Sequence, residues 1–231
     1  MNDLKEFEKI LGIQFKNQQL LKEALTHRSY LNEFKKEHLE SNERLEFLGD
    51  AILSFVVSNW IFEKLPNFPE GKLTNLRSNL VKTGALAKVA KKIKIGGYLR
   101  LSRGEKESGG QENETLLANA TEALIGALFL DQGTIVVGDF IKKQLIFLLE
   151  ETLNSGRLKD YKSLLQEKIQ ARKGQSPVYQ TEKEEGPEHS KIFTINVLSE
   201  NKILAKGTGK SKQKAEQEAA KAALEKLGLK K

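Results

Sequence analysis

The sequence has no cysteine, one methionine, one tryptophan, four prolines and three histidines in 231 residues. Without cysteine there is no disulfide framework, no thiolate zinc site and no cysteine nucleophile. His27, His38 and His189 lie far apart in sequence, which argues against a histidine-rich zinc site, so any metal would have to be held by oxygen. The opening stretch, MNDLKEFEKILGIQF, mixes charged and apolar residues at helical spacing. It offers neither a signal-peptide core nor an apolar run long enough to span a bilayer, and a cytoplasmic location is the expectation. What the sequence does have is 39% hydrophobic and 30% charged residues, which suits one large or two small folded domains.

Basic residues outnumber acidic ones by 38 to 31, a formal charge of +7. The excess is unevenly placed. Cut at the Asn154-Ser155-Gly156 turn signal, residues 1–155 hold 21 basic and 21 acidic side chains, whereas residues 156–231 hold 17 and 10. A neutral large part joined to a small basic part suggests that the small part meets a polyanion and the large part does something else. A lysine-rich solvated surface is the plain alternative.

Residues 1–152 read as an all-α domain of about eight helices, from 3.6-residue periods such as Leu45, Leu48, Ile52, Phe55 and Val56, or Leu117, Leu124, Ile125 and Leu128. Breaks are expected at Pro66-Asn67-Phe68-Pro69, Gly96-Gly97, Ser108-Gly109-Gly110 and Asp131-Gln132-Gly133. The period then changes. Residues 160–172 are helical, and Val178-Thr181, Ile192-Val197 and Ile203-Ala205 read as short strands. A last helix over 212–227 follows, N-capped by Ser211, so the order is α-β-β-β-α. The polar stretch 153–157 between the two parts is a linker.

The most informative segment is Asn42-Glu43-Arg44-Leu45-Glu46-Phe47-Leu48-Gly49-Asp50. On one helix, Glu43, Glu46 and Asp50 share a face, at a repulsive cost of order a few tenths of a kcal/mol per like pair, more if buried. A solvated acidic face is the simplest reading of such a helix; a divalent cation such as Mg²⁺, which prefers carboxylate oxygens, is the functional one. Asn119 and Glu122 are a second polar pair, set in an otherwise apolar, small-residue helix. They are either satisfied by backbone or water, or meet Glu46 and Asp50 in an oxygen-rich cage between facing helices.

The stretch Asn42 to Asp50 is identical to the signature of the ribonuclease III family. Residues 24–30, ALTHRSY, resemble its upstream motif, and residues 122–127, EALIGA, its downstream one. The C-terminal pattern is similar to a double-stranded RNA-binding domain. The resemblance spans essentially the whole chain and implies an endonuclease domain over 1–152, a linker over 153–158 and an RNA-binding domain over 159–229. It implies an endoribonuclease that cuts double-stranded RNA by metal-dependent hydrolysis, with Mg²⁺ as cofactor and Mn²⁺ able to substitute. The products would carry 5′-phosphate and 3′-hydroxyl ends with short 3′ overhangs, in processing of ribosomal, messenger and other RNA precursors. It also implies a homodimer with two centres along one RNA valley, a second metal arriving with substrate, and no membrane partner.

By the same resemblance, Glu46, Asp50, Asn119 and Glu122 would be the metal ligands, and Asp50, Glu122, Glu46 and Glu43 the catalytic set, with Glu43 lining the valley near the scissile strand. Glu70 matches a further acidic position. Phe47 would enter a socket on the partner subunit or, read plainly, be an ordinary core residue. His27 reads as a structural hydrogen-bonding residue rather than a base. The family usually has Asp where this chain has Asn119, so one donor has lost its charge but kept a carbonyl oxygen. An active natural variant is the preferred reading; a weakened enzyme, an engineered trap for uncut substrate, and a double-stranded RNA-binding protein without cleavage are the alternatives. A helical DNA-binding regulator is a weaker third idea.

A reader of A-form RNA needs hydrogen-bonding side chains for the minor groove and lysines for phosphates. Gln166 and Gln170, one turn apart, and His189 are candidates for the groove. Lys210, Lys212 and Lys214, at the start of the last helix, are candidates for the phosphates. The family pattern has adjacent lysines after the serine, whereas here Gln213 separates Lys212 from Lys214.

Overall fold

Among the described residues the helical periods of the first part become eight α-helical ranges: α1 (Leu4–Leu11), α2 (Gln18–Ala24), α3 (Arg28–Glu33), α4 (Glu43–Lys64), α5 (Glu70–Val81), α6 (Thr83–Lys92), α7 (Arg103–Glu107) and α8 (Glu114–Asn154). Local chemistry sets their ends. Asp3 and Asn17 cap α1 and α2 by accepting from the backbone N–H groups of Lys5 and Gln19, and Gly12 ends α1 in the left-handed region at φ 71°. The computed structural model describes residues 3–34, 39–154, 161–173, 175–187 and 190–229. The chain divides into two units, Met1–Leu158 and Lys159–Lys231, each with its own hydrophobic core.

The last expected break falls inside the α8 range. At Asp131-Gln132-Gly133 the backbone leaves helical geometry at Gly133, where φ is 80° and ψ −173°, so the α8 range holds two helical stretches on either side of a kink. Contacts with a distant loop hold the kink. The Asp131 carboxylate accepts from the backbone N–H groups of Lys16 (2.9 Å) and Asn17 (2.7 Å), and the Gln132 amide donates to the carbonyl of Gln14 (2.7 Å). Burial opposes the charge on Asp131, yet these donors and the Lys16 ammonium together hold its carboxyl below the usual range.

By length and composition α4 and α8 could each cross a membrane. Here they form the central pair of the first unit, burying Leu45, Leu53, Val57, Ile61, Leu117, Leu124 and Leu128. Their apolarity is that of core helices.

The second unit is α9 (Tyr161–Lys173), β1 (Val178–Glu185), β2 (Ile192–Ser199), β3 (Lys202–Gly209) and α10 (Lys212–Lys226). The strands form one antiparallel sheet in the order β1-β2-β3. Glu200 and Asn201, at φ 50° and 60°, make the two-residue turn that joins β2 to β3. Val197, Leu165, Ile169 and Leu224 fill the core together with Ala219, Ala220 and Ala223. Glycine is required at that contact: a Cβ on Gly207 of β3 would lie 2.1 Å from the backbone nitrogen of Ala219, so the helix backbone lies directly on the strand.

Candidate active site

Two glycines bring the acidic residues together. A Cβ added to Gly49 would lie 1.7 Å from the Glu122 carbonyl oxygen, and one added to Gly126 would lie 2.2 Å from that of Leu45. These reciprocal contacts run antiparallel, 45 with 126 and 49 with 122, and no side chain fits between the backbones. Sequence reasoning missed both positions. A glycine inside a helix costs about 1 kcal/mol relative to alanine, and that cost is the signal that another backbone comes close.

The close approach puts Glu46 and Asp50 of α4 beside Asn119 and Glu122 of α8. Burial, then Asp50, then Glu46 push the Glu122 carboxyl up to about 7. Glu46 is raised by burial, then by Glu43 and, less, by Asp50, against the lowering effect of a hydrogen bond that the Asn119 amide donates to it. Asn119 therefore steadies a neighbouring carboxylate, which an aspartate could not do while ionised. The donors are all oxygens and charge on Glu46 and Glu122 is disfavoured, which suits a hard divalent cation. Among the described residues no three acidic or histidine side chains already converge at coordination spacing, so enclosing an ion would require side-chain rotation.

Next to these residues lies a cleft of about 330 Å³ whose lining includes Arg28, Glu43, Glu46, Thr115 and Asn119; Asp50 and Glu122 are not part of its lining. Glu43 sits on its rim, accepting from the Ser41 hydroxyl (3.0 Å) and paired with Arg28 (3.6 Å). Arg44 turns away to Glu40 (3.0 Å). His27 lines the cleft and makes local helix-capping contacts. Its ring nitrogen caps α3, accepting from the Ser29 backbone N–H (3.3 Å), and lies 2.8 Å from the Ser29 hydroxyl.

Glu70, at the start of α5, is exposed, accepts from the Thr74 hydroxyl (2.9 Å) and does not line the cleft. Phe47 is 82% exposed, so it is not a core residue of this chain.

In the second unit Gln166 is exposed, while the Gln170 amide donates to the Ser176 hydroxyl (2.9 Å). Ser211 caps α10 by accepting from the Lys214 backbone N–H. Lys210 and Lys214 are exposed, but Lys212 is paired with Glu184 at 2.7 Å and lies over the Phe193 ring. His38 and His189 lie outside the described residues.

The family described as Ribonuclease-III-like matches residues 17–149, and that described as Double-stranded RNA binding motif matches residues 161–227. Over 225 residues the chain is 44% identical to a protein named Ribonuclease 3 from Oceanobacillus iheyensis, covering 97% of this chain and 98% of that one. Over 229 residues it is 44% identical to a Ribonuclease 3 from Streptococcus thermophilus, covering 99% and 100%. Among solved structures, it is similar to the nuclease domain of ribonuclease III from Campylobacter jejuni, described for flexibility in a region involved in dimer formation. That match has 35% identity and a TM-score of 0.56, and covers 65% of this chain and 97% of that one.

Proposed function

Because the chain belongs to the ribonuclease III family and is a double-stranded RNA-specific endoribonuclease, we propose that it hydrolyses phosphodiesters at the α4–α8 site. The products would carry 5′-phosphate and 3′-hydroxyl ends with short 3′ overhangs. The substrates would be precursors of ribosomal, messenger and other RNA, met in the cytoplasm. The observation that carries this reading is the glycine-mediated contact that sets Glu46 and Asp50 against Asn119 and Glu122 at the edge of an open cleft.

The family's nucleases are metal-dependent, and the all-oxygen donor set favours Mg²⁺, with Mn²⁺ as a substitute. Glu46, Asp50, Glu122 and the Asn119 carbonyl would hold it; when bound, such an ion supplies an activated water and charge stabilisation at phosphate and leaving group. The chain's own groups do the rest. Asn119 orients Glu46, Glu122 can hold a proton near neutral pH, and Glu43 on the rim faces the strand to be cut. No side-chain nucleophile is needed.

The second unit, assigned to residues 159–229 beyond a linker at 153–158, would hold the duplex. Gln166, Gln170 and His189 would reach minor grooves, and Lys210, Lys212 and Lys214 would meet phosphates, Lys212 after leaving Glu184. The first domain, residues 1–152, would pair with a second copy through α4. Phe47, Phe55 and Phe62 lie on one side of that helix at 82%, 61% and 69% exposure, an apolar stripe that a homodimer would cover. Two centres so paired would nick opposite strands.

The test is cleavage of long double-stranded RNA by the purified chain. Short duplexes are expected with Mg²⁺, and none with a chelator or on duplex DNA. If the RNA shifts in a gel but stays whole with Mg²⁺, Asn119 has cost the chain its cleavage and the reading of the site fails.

A further inference from the structure

A cleft lined by Glu43 and Glu46 repels the phosphates of an incoming duplex, and a divalent ion at the α4–α8 contact would offset only part of that repulsion. Among the described residues Arg28 is the one lysine or arginine that lines the cleft. Its side chain is 73% exposed and pairs with Glu43, itself 56% exposed, at 3.6 Å. That distance exceeds a good charge-assisted hydrogen bond, and an exposed pair of this kind contributes at most about 1 kcal/mol. Arg28 is therefore held at the rim by a contact that is easily given up.

The root of the side chain is much more firmly placed than its head. Arg28 begins α3 directly after His27, whose ring caps the helix and whose backbone N–H donates to the Arg100 carbonyl (3.0 Å). The backbone N–H of Asn42 donates to the Thr26 carbonyl (2.8 Å), tying this turn to the start of α4 and hence to Glu43 and Glu46. A fixed root with an exposed head suits a planar guanidinium that must meet phosphate oxygens with two parallel N–H groups.

We infer that Arg28 is a substrate-positioning residue that passes from Glu43 to a backbone phosphate of double-stranded RNA as the duplex enters the cleft. The inference rests on the nuclease reading above. It gives the Arg28–Glu43 pair two states. Without RNA, Glu43 masks the cation; with RNA, the phosphate takes the guanidinium, and Glu43 is released on the side of the cleft where Glu46 lies.

Single-turnover cleavage of a short synthetic RNA duplex by the full-length chain in Mg²⁺, followed over protein and salt concentration, separates binding from chemistry. Arg28→Gln is expected to raise the half-saturating protein concentration about tenfold and to lower the slope of log affinity against log salt by about one. The maximal rate should stay within about threefold and Tm should not move. Arg28→Lys should keep the salt slope but recover only part of the affinity, because the fork is lost. Glu43→Gln should tighten binding more in the presence of Arg28 than in Arg28→Gln, a coupling that a double-mutant cycle reads directly.

Unchanged affinity and slope in Arg28→Gln overturn the inference and leave the nuclease reading intact. A lowered Tm with an unchanged slope makes Arg28 structural and overturns it equally. A parent chain that neither binds nor cuts the duplex overturns both.

Discussion

Gly49 and Glu122 are separated so narrowly that a single methyl group on the glycine would lie 1.7 Å from the glutamate carbonyl oxygen. The acidic site depends on that absence. Gly49→Ala and Gly126→Ala are each expected to destabilise the first domain by about 3 kcal/mol or more, because backbone rather than a side chain must give way. Urea unfolding monitored at Trp60 measures this, and a change below about 0.5 kcal/mol would show that the helices separate at little cost.

The raised Glu122 carboxyl sets a pH dependence. Its folded value of about 7 lies above the 4.5 of an unperturbed glutamate, so the folded state holds the proton more tightly. This contribution to stability is fully present below about 4.5 and is lost as pH rises through about 7. With a chelator present, Glu122→Gln should therefore be more stable than the parent at pH 8, by about 1–2 kcal/mol once solvent screening of a half-exposed group is allowed for, and should show no such gain at pH 4.5. Denaturation curves at both pH values decide it; the same difference at each would remove the electrostatic explanation.

Asn119→Asp adds a charge among the proposed metal ligands and removes the amide that steadies Glu46. The Mg²⁺ concentration for half-maximal cleavage is expected to fall several-fold, with the maximal rate changed less than about tenfold. Activity in the aspartate variant alone would show that the parent chain has lost cleavage.

Phe47→Asp puts a charge where an apolar contact between copies is proposed. Since Phe47 is 82% exposed in the single chain, the domain fold should hold, and the dimer should weaken by about 100-fold or more. Sedimentation velocity measures it, and an unchanged dimer would place the interface elsewhere.

The lysines at the start of α10 should differ. Lys210→Gln and Lys214→Gln are each expected to lower the salt slope of duplex binding by about one. Lys212→Gln should cost less affinity, because Lys212 must first leave Glu184, its partner at 2.7 Å. Fluorescence anisotropy across a salt series separates them. Equal losses at all three positions would mean the ion pair does not compete with RNA.

The elements most legible in the sequence are those whose pattern is local. The periods around Leu45 and Leu117 mark α4 and α8, and Pro66 to Pro69 marks the gap between α4 and α5. The strands run longer than their patterns predict because their ends lack alternation: Glu182 to Glu185 in β1 is charged and exposed throughout, and Lys206 to Gly209 in β3 is polar and glycine-rich. Asp131-Gln132-Gly133 is legible as a break, but the contacts that hold the kink, from the backbone of Lys16 and Asn17, come from over a hundred residues away. In the site, the carboxylates can be named from their spacing and from family resemblance. Gly49 and Gly126 cannot, because the reason for each lies in the other helix.

The alanine face of α10 has a consequence for the protein's lifetime. Among the described residues the second unit's core cluster has seven members, three of them alanines lying close on the glycine-bearing strand, so it removes little apolar surface from water. Whatever binds only the folded form of so small a unit shifts the balance between its closed and open states. Bound duplex RNA would therefore slow proteolysis within residues 161–229, making turnover of the protein depend on the supply of its own substrate.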